Sequence, residues 1–189
     1  MAQWRQPAIP CLRGRSVEDM ERYDAEKMKN ERCYPILKYP GSKWSIAEWI
    51  VSLMPPHKSY LEPFLGSGAV FFTKPPSRIE TINDLDGEIV NLFRVIRDRP
   101  RELERAVALT PYSREEYELA WIKFRRGAPK DPVEQARNTL IRYWQTHGSR
   151  SNYKNGWKND RAGREYAYAV RYWNRLPEWI SQAVSRLKE

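Results

Sequence analysis

The stretch Tyr60-Leu61-Glu62-Pro63-Phe64-Leu65-Gly66-Ser67-Gly68-Ala69-Val70 constrains the fold more than any other part of the chain. An apolar run meets a carboxylate and then a loop with two glycines two positions apart, which reads as a strand feeding a nucleotide-binding turn. Glycine has no Cβ, so Gly66 and Gly68 can take positive φ and leave bare backbone for a ligand, while Ala69-Val70-Phe71-Phe72 opens a buried helix. Eighteen residues past Gly66, Thr81-Ile82-Asn83-Asp84 reads as a second strand tip ending in an acid. That is the interval at which doubly wound folds place a ribose-binding carboxylate. The two signals together predict the βαβ half of an α/β sheet.

The segments on either side fit this frame. Before it, Pro35 to Trp44 is an extended piece breaking into a glycine turn. It is not a phosphate-binding P-loop, because the position five residues before Gly41 holds Ile36. Ser45 with Glu48 is expected to cap a short helix carrying Ile46, Ile50, Val51 and Leu53, stopped by Pro55-Pro56. After it, Ile89, Val90, Leu92, Phe93, Val95 and Ile96 predict a buried helix ending before Pro100. Helices are then expected over 102–108, from Ser113 to Arg126, from Asp131 to His147, and from Tyr166 to Arg175, with Pro177 breaking the last and Trp179 starting another. Only two strands of core type are evident. A parallel sheet of two strands leaves edges and a face to cover, so further residues downstream are expected to complete it.

Charge narrows the partners. Thirty-three Lys and Arg against 24 Asp and Glu give a formal charge of +9, which suits a polyanion better than an acidic metabolite. The excess is local: from Arg142 to Arg175 there are six Arg and two Lys against Asp160 and Glu165. Arg142, Arg150, Lys154, Lys158, Arg161 and Arg164 alternate with Tyr153, Trp157 and Tyr166 in a Gly- and Asn-rich stretch, with Asn155-Gly156 a candidate tight turn. Phosphates need cations and an exposed base can use aromatics, so Arg142, Arg150, Asn152, Lys154, Trp157 and Lys158 are the expected contacts for a polyanion, which the resemblance described below implies to be DNA. Tyr143, Trp144, Tyr172 and Trp173 recur at helical spacing and are expected in the core. Cys11 and Cys33 make no spaced cluster with His57 or His147, so no metal is expected and the compartment is read as reducing and cytoplasmic. No stretch has the length and apolarity of a membrane span.

These residues resemble the DNA adenine methylases, a family that methylates the exocyclic amine of adenine with S-adenosylmethionine. The likeness covers about residues 34 to 189 and rests on three blocks in order: Leu37-Lys38-Tyr39-Pro40-Gly41-Ser42-Lys43, Glu62-Pro63-Phe64-Leu65-Gly66-Ser67-Gly68, and Asn83-Asp84-Leu85-Asp86 with Ile89-Val90-Asn91-Leu92-Phe93. The resemblance implies a partial Rossmann-like, S-adenosylmethionine-dependent methyltransferase fold with a helical target-recognition insert. It divides the chain into an N-terminal extension (1–33), a cofactor-binding half (34–108), a DNA recognition insert (109–176) and the start of a return to the methyltransferase domain (177–189).

By the same resemblance, Tyr39 and Lys43 contact cofactor or target base, Glu62, Phe64, Gly66, Ser67 and Gly68 hold the methionine part of S-adenosylmethionine, and Asp84 binds the ribose hydroxyls. Double-stranded DNA is the implied substrate, of the kind modified in restriction-modification systems of bacteria or phages. The family's catalytic Asp-Pro-Pro-Tyr motif does not occur in these 189 residues; the Pro55-Pro56 and Pro75-Pro76 pairs lack its flanking residues. No catalytic residue is therefore assigned, and the chain alone is expected to be weakly active or inactive. The alternatives are a non-catalytic DNA- and cofactor-binding module, one half of a split enzyme awaiting a complementing C-terminal fragment, or a methyltransferase for RNA or a small amine.

Overall fold

A computed structural model describes residues 33–127, 129–148, 153–159 and 168–188. The expected extension, including the cap at Ser16 to Asp19, lies outside them apart from Cys33. So do Arg150, Asn152, Arg161, Arg164 and Tyr166.

The described residues form seven helices and two strands, and the strands pair in parallel. Helix α1 (Ala47–Ser52) precedes β1 (Ser59–Glu62), α2 (Ala69–Thr73) and β2 (Ile79–Ile82); then follow α3 (Gly87–Asp98), α4 (Pro100–Ala108), α5 (Arg114–Arg125), α6 (Pro132–Trp144) and α7 (Tyr168–Lys188), making seven helices in all. The register sets Ser59 opposite Ile79 and Glu62 opposite Ile82. Side chains alternate faces along a strand, and here Tyr60, Glu62, Glu80 and Ile82 turn inward while Ser59, Leu61, Ile79 and Thr81 are exposed. Among the described residues only one face of the sheet is thus covered.

Helix starts follow local chemistry. Asp86 accepts the Glu88 amide at 2.9 Å, Ser113 the Glu116 amide at 3.2 Å, and Asp131 the Val133 amide at 3.2 Å with Pro132 in the first turn. Each side chain satisfies one of the amides a helix start leaves without a partner. The core is continuous from Leu37 and Phe72 through Ile89, Leu92 and Ile96 to Leu140, Trp173, Leu176 and Ile180. Tyr143, Trp144 and Trp173 are buried and Tyr172 packs against them.

Four local expectations are corrected. Pro177 does not end a helix: α7 runs through it. Proline costs a helix interior about 3 kcal/mol, but Trp173, Leu176, Trp179, Ile180 and Ala183 lie buried on one stripe, and that burial outweighs it. The Ser45 cap is not made, since Ile46 holds the N-cap position of α1 with no side-chain bond, and Ile46, Trp49 and Leu53 face outward. Helix α6 stops at Trp144 rather than His147, because Thr146 leaves it to bridge Trp157 in antiparallel fashion. The left-handed glycine in that region is Gly148 at φ +80°, not Gly156, so Asn155-Gly156 lacks the geometry of a two-residue hairpin turn.

Candidate cofactor and DNA site

The glycine turn closes on the acid of the second strand. Gly66 and Gly68 have φ of +52° and +68°, values that side-chain-bearing residues rarely adopt. The Gly66 amide donates to Asp84 Oδ2 at 2.7 Å, and the Asp86 amide donates to Asp84 Oδ1 at 2.9 Å. Beside them, Leu65 N–H donates to Asn83 O at 2.9 Å and Asn83 N–H to Glu62 O at 2.9 Å. The ends of β1 and β2 are therefore stitched together, with Asp84 as the clasp.

The first sequence block folds onto this turn. A Cβ at Gly66 would stand 3.0 Å from Tyr39 Cδ1, so the Tyr39 ring lies directly on bare backbone. Burial raises the Tyr39 pKa first, and the charges of Asp84 and Asp86 raise it further, which places its ring beside both acids. Ser42 and Ser67 share a hydroxyl hydrogen bond of 2.8 Å. Lys43 is exposed and its Nζ donates to Gly41 O at 2.6 Å. Gly68 is held by packing as well as φ, since a Cβ there would meet Phe72 Cε2 at 2.7 Å. Phe64 extends into solvent, 79 % exposed.

Glu62 is half-buried. Tyr60 donates to its Oε2 at 2.7 Å, and burial pushes its carboxyl up against the opposing pull of that bond, of the Phe71 amide and of the Lys74 charge. The structure thus brings Tyr39, Gly66, Ser67 and Asp84 into one cluster, with Glu62 at the adjoining strand end and Lys43 on its rim.

The expected DNA residues fall into three groups. Arg142 is corrected: its side chain is 2 % exposed, pairs with Glu88 and lies over the Phe124 ring at 3.9 Å. A guanidinium so enclosed cannot reach a phosphate. Trp157 is half-buried, 5.8 Å from the Tyr112 ring, with Nε1 directed at Gln145 Oε1, so it anchors the loop rather than standing free for a base. Lys154 is exposed and pairs with Glu118. Lys158 donates its amide to Gln145 O at 2.8 Å, and its carbonyl accepts from Tyr112 Oη at 3.0 Å. Its charge sits beside Lys38, whose ammonium lies 4.5 Å from the Trp144 ring centroid and whose pKa falls to about 8, by burial first and Lys158 second.

Sequence reading passed over Ser42 and Tyr60, whose hydroxyls bond Ser67 and Glu62. Ser42 could have been found from its place inside the first block. Tyr60 carries no local signal beyond its place in the strand.

Among the described residues no helix is long and apolar enough to cross a membrane, and no group of three or more His, Cys, Asp or Glu could hold a metal ion. Several characterised proteins share part of this sequence. A type II methyltransferase, M1.LlaDCHI of Lactococcus lactis subsp. cremoris, is 37 % identical over 70 residues, covering 36 % of this chain and 24 % of that protein. A DNA N-6-adenine-methyltransferase of Escherichia phage P1 is 29 % identical over 93 residues, covering 49 % of this chain and 12 % of that one. A DNA adenine methylase of Vibrio cholerae is 30 % identical over 74 residues, covering 39 % and 26 %. The chain matches only about a quarter or less of the length of these relatives. Residues 39–182, which hold the first sequence block from Tyr39 onward, the second and third blocks and the helices that follow, match one family: the chain belongs to the D12 class N6 adenine-specific DNA methyltransferases.

Proposed function

We propose that this chain is the cofactor-binding and target-recognising part of an adenine-specific DNA methyltransferase, with a partial Rossmann-like fold interrupted by the helical insert 109–176. The observation that carries the reading is the Gly66 to Asp84 bond, which joins two motif positions eighteen residues apart. S-adenosylmethionine fits the donor set there. Its ribose diol needs a carboxylate, and each Asp84 oxygen accepts one backbone amide while retaining a further lone pair. Its ammonium needs an acid, which Glu62 offers, and its carboxylate needs hydroxyls or a cation, which Ser42, Ser67 and Lys43 offer. Its adenine needs an aromatic face, which Tyr39 and Phe64 offer.

The cofactor, when bound, supplies an electrophilic methyl group. The chain's own residues bind and orient: Asp84 and the glycine turn fix one end of the cofactor, and Tyr39 closes over it. Positioning of this kind is the main source of rate in a direct displacement. Among the described residues Lys38, Lys154 and Lys158 offer the charge for double-stranded DNA, whose target base would be turned out of the helix to reach the methyl group; the expected contacts Arg150 and Asn152 lie outside the described residues. Aligning the adenine amine belongs to the Asp-Pro-Pro-Tyr motif, which we assign to a polypeptide segment outside these residues; a complementing fragment could deliver it along the open sheet. No metal takes part in this scheme, and it suits a cytoplasmic bacterial or phage protein.

Calorimetry with S-adenosylhomocysteine tests the cofactor half, with binding expected and absence of heat from folded protein rejecting it. Competition among DNA, RNA and heparin across a salt series tests the other half. A chain that prefers RNA, or is indifferent to DNA, rejects the DNA substrate.

A further inference from the structure

The last turn of α6 touches the cofactor half at consecutive positions. Arg142 pairs with Glu88 at the start of α3. Tyr143, 5 % exposed, stacks on Tyr39 with ring centroids 6.0 Å apart and planes inclined by 25°. Trp144 donates from Nε1 to Ile36 O at 2.7 Å. Gln145 then accepts the Lys158 amide. Successive helical residues point about 100° apart, so this turn meets four different neighbours only because the first block and the 153–159 loop wrap around it. Tyr39 in turn lies on Gly66, with no room for a Cβ between them. A line therefore runs from Lys158 to Gln145, along the backbone at the end of α6 to Tyr143, and on by ring contact to Tyr39 and the glycine turn.

We infer that Tyr143 is a positioning residue for the cofactor: it holds Tyr39 against Gly66, and through Gln145 and Lys158 it makes cofactor affinity respond to DNA on the 153–159 loop. The inference rests on the cofactor and DNA reading above. An aromatic ring fixed before its ligand arrives spares the ligand the entropy of ordering it. DNA that steadies the loop steadies the end of α6, and with it Tyr143 and Tyr39. Cofactor binding to a pocket already ordered is tighter with no new contact, and reciprocity requires the cofactor to tighten DNA binding equally.

The test is S-adenosylhomocysteine affinity of the full 189-residue chain, by calorimetry, with and without a short mixed-sequence DNA duplex. DNA is expected to tighten binding roughly fivefold. Tyr143→Phe keeps the ring that stacks on Tyr39 and should keep the response to DNA. Tyr143→Leu should weaken binding about tenfold and abolish the response to DNA, and in a Tyr39→Leu background it should add nothing, since the two act as one unit. A residue that merely packs would lower Tm while leaving the affinity and the DNA response intact; that result, or full additivity with Tyr39→Leu, overturns the inference. A native chain that binds S-adenosylhomocysteine with no response to DNA, or binds no DNA, also overturns it, whereas absence of any heat removes the cofactor reading itself and this inference with it. Should Tyr143→Leu not fold, hydrogen exchange on the native chain replaces it: DNA is expected to slow exchange at the Gly66 and Gly68 amides, and unchanged rates overturn the proposal.

Discussion

Glu88 on α3 and Arg142 on α6 form an ion pair in which the arginine side chain is 2 % exposed and the glutamate 19 %. It pins α6 to α3, the helix that follows Asp84. Arg142 also lies over Phe124 and Trp121, so both its charge and its plane are committed to the interior. Truncating one partner leaves the other charge buried alone, which costs about 3 kcal/mol or more. Arg142→Ala should therefore lower Tm sharply, while Arg142→Met combined with Glu88→Gln should recover much of the loss. The salt dependence of DNA binding should be the same in the native chain and in the double variant. A salt slope smaller by about one unit would show that Arg142 contacts a phosphate after all.

Asp84 has two duties, and they can be separated by substitution. Asp84→Asn keeps an oxygen for the Gly66 amide but loses the negative charge and one acceptor; Asp84→Ala loses both. Hydrogen bonds to charged groups contribute about 1.5–3 kcal/mol, so S-adenosylhomocysteine affinity should fall at least tenfold in Asp84→Asn. It should fall further in Asp84→Ala, where the turn also loosens. Calorimetry alongside Tm gives both effects, and equal affinity in all three proteins would remove Asp84 from the binding surface.

What the sequence made legible is what neighbouring residues decide among themselves. The strand, glycine turn and helix from Ser59 to Thr73 are specified by Gly66, Gly68 and the apolar runs, and Ser113 and Asp131 cap the helices their spacing indicated. Asp84 was legible through its interval from Gly66. What escaped was set by distant contacts. Arg142 looked like a surface cation because nothing near it in sequence shows that Glu88, 54 residues earlier, waits in the core. Pro177 looked like a stop because its cost is local, whereas the burial that overrides it comes from α4 and the other helices packed on α7. Trp157 looked like a free aromatic until Thr146 paired with it across the loop.

The uncovered sheet face leads to an association test. Leu61 and Ile79 are 63 % and 57 % exposed on adjacent strands, an uncommon state for a parallel sheet. The chain alone should self-associate at high concentration through this face and the open strand edges. Leu61→Lys or Ile79→Lys should shift sedimentation toward monomer while changing stability by no more than about 0.5 kcal/mol, as expected for surface positions. A strictly monomeric native chain would contradict the prediction.

Lys38 supplies a pH dependence whose sign follows from its surroundings. Burial, then the nearby charge of Lys158, lowers its pKa from the ordinary 10.5 to about 8. Below about pH 8 the group is protonated in both the folded and the unfolded chain, and the full penalty of enclosing its charge is present. Between about pH 8 and 10.5 the unfolded chain holds a proton that the folded one has lost, so this group's contribution to stability rises with pH across that window. DNA has the opposite preference: a phosphate favours the protonated form, and affinity for a duplex at fixed salt should decline as pH rises through about 8. Lys38→Arg keeps its charge throughout and should bind DNA with a flat profile across that range; Lys38→Met should be flat and weak, yet more stable than the native chain near neutrality. Fluorescence anisotropy with a labelled duplex gives the profiles and thermal melts give the stabilities. A native profile as flat as that of Lys38→Arg would place Lys38 away from the DNA.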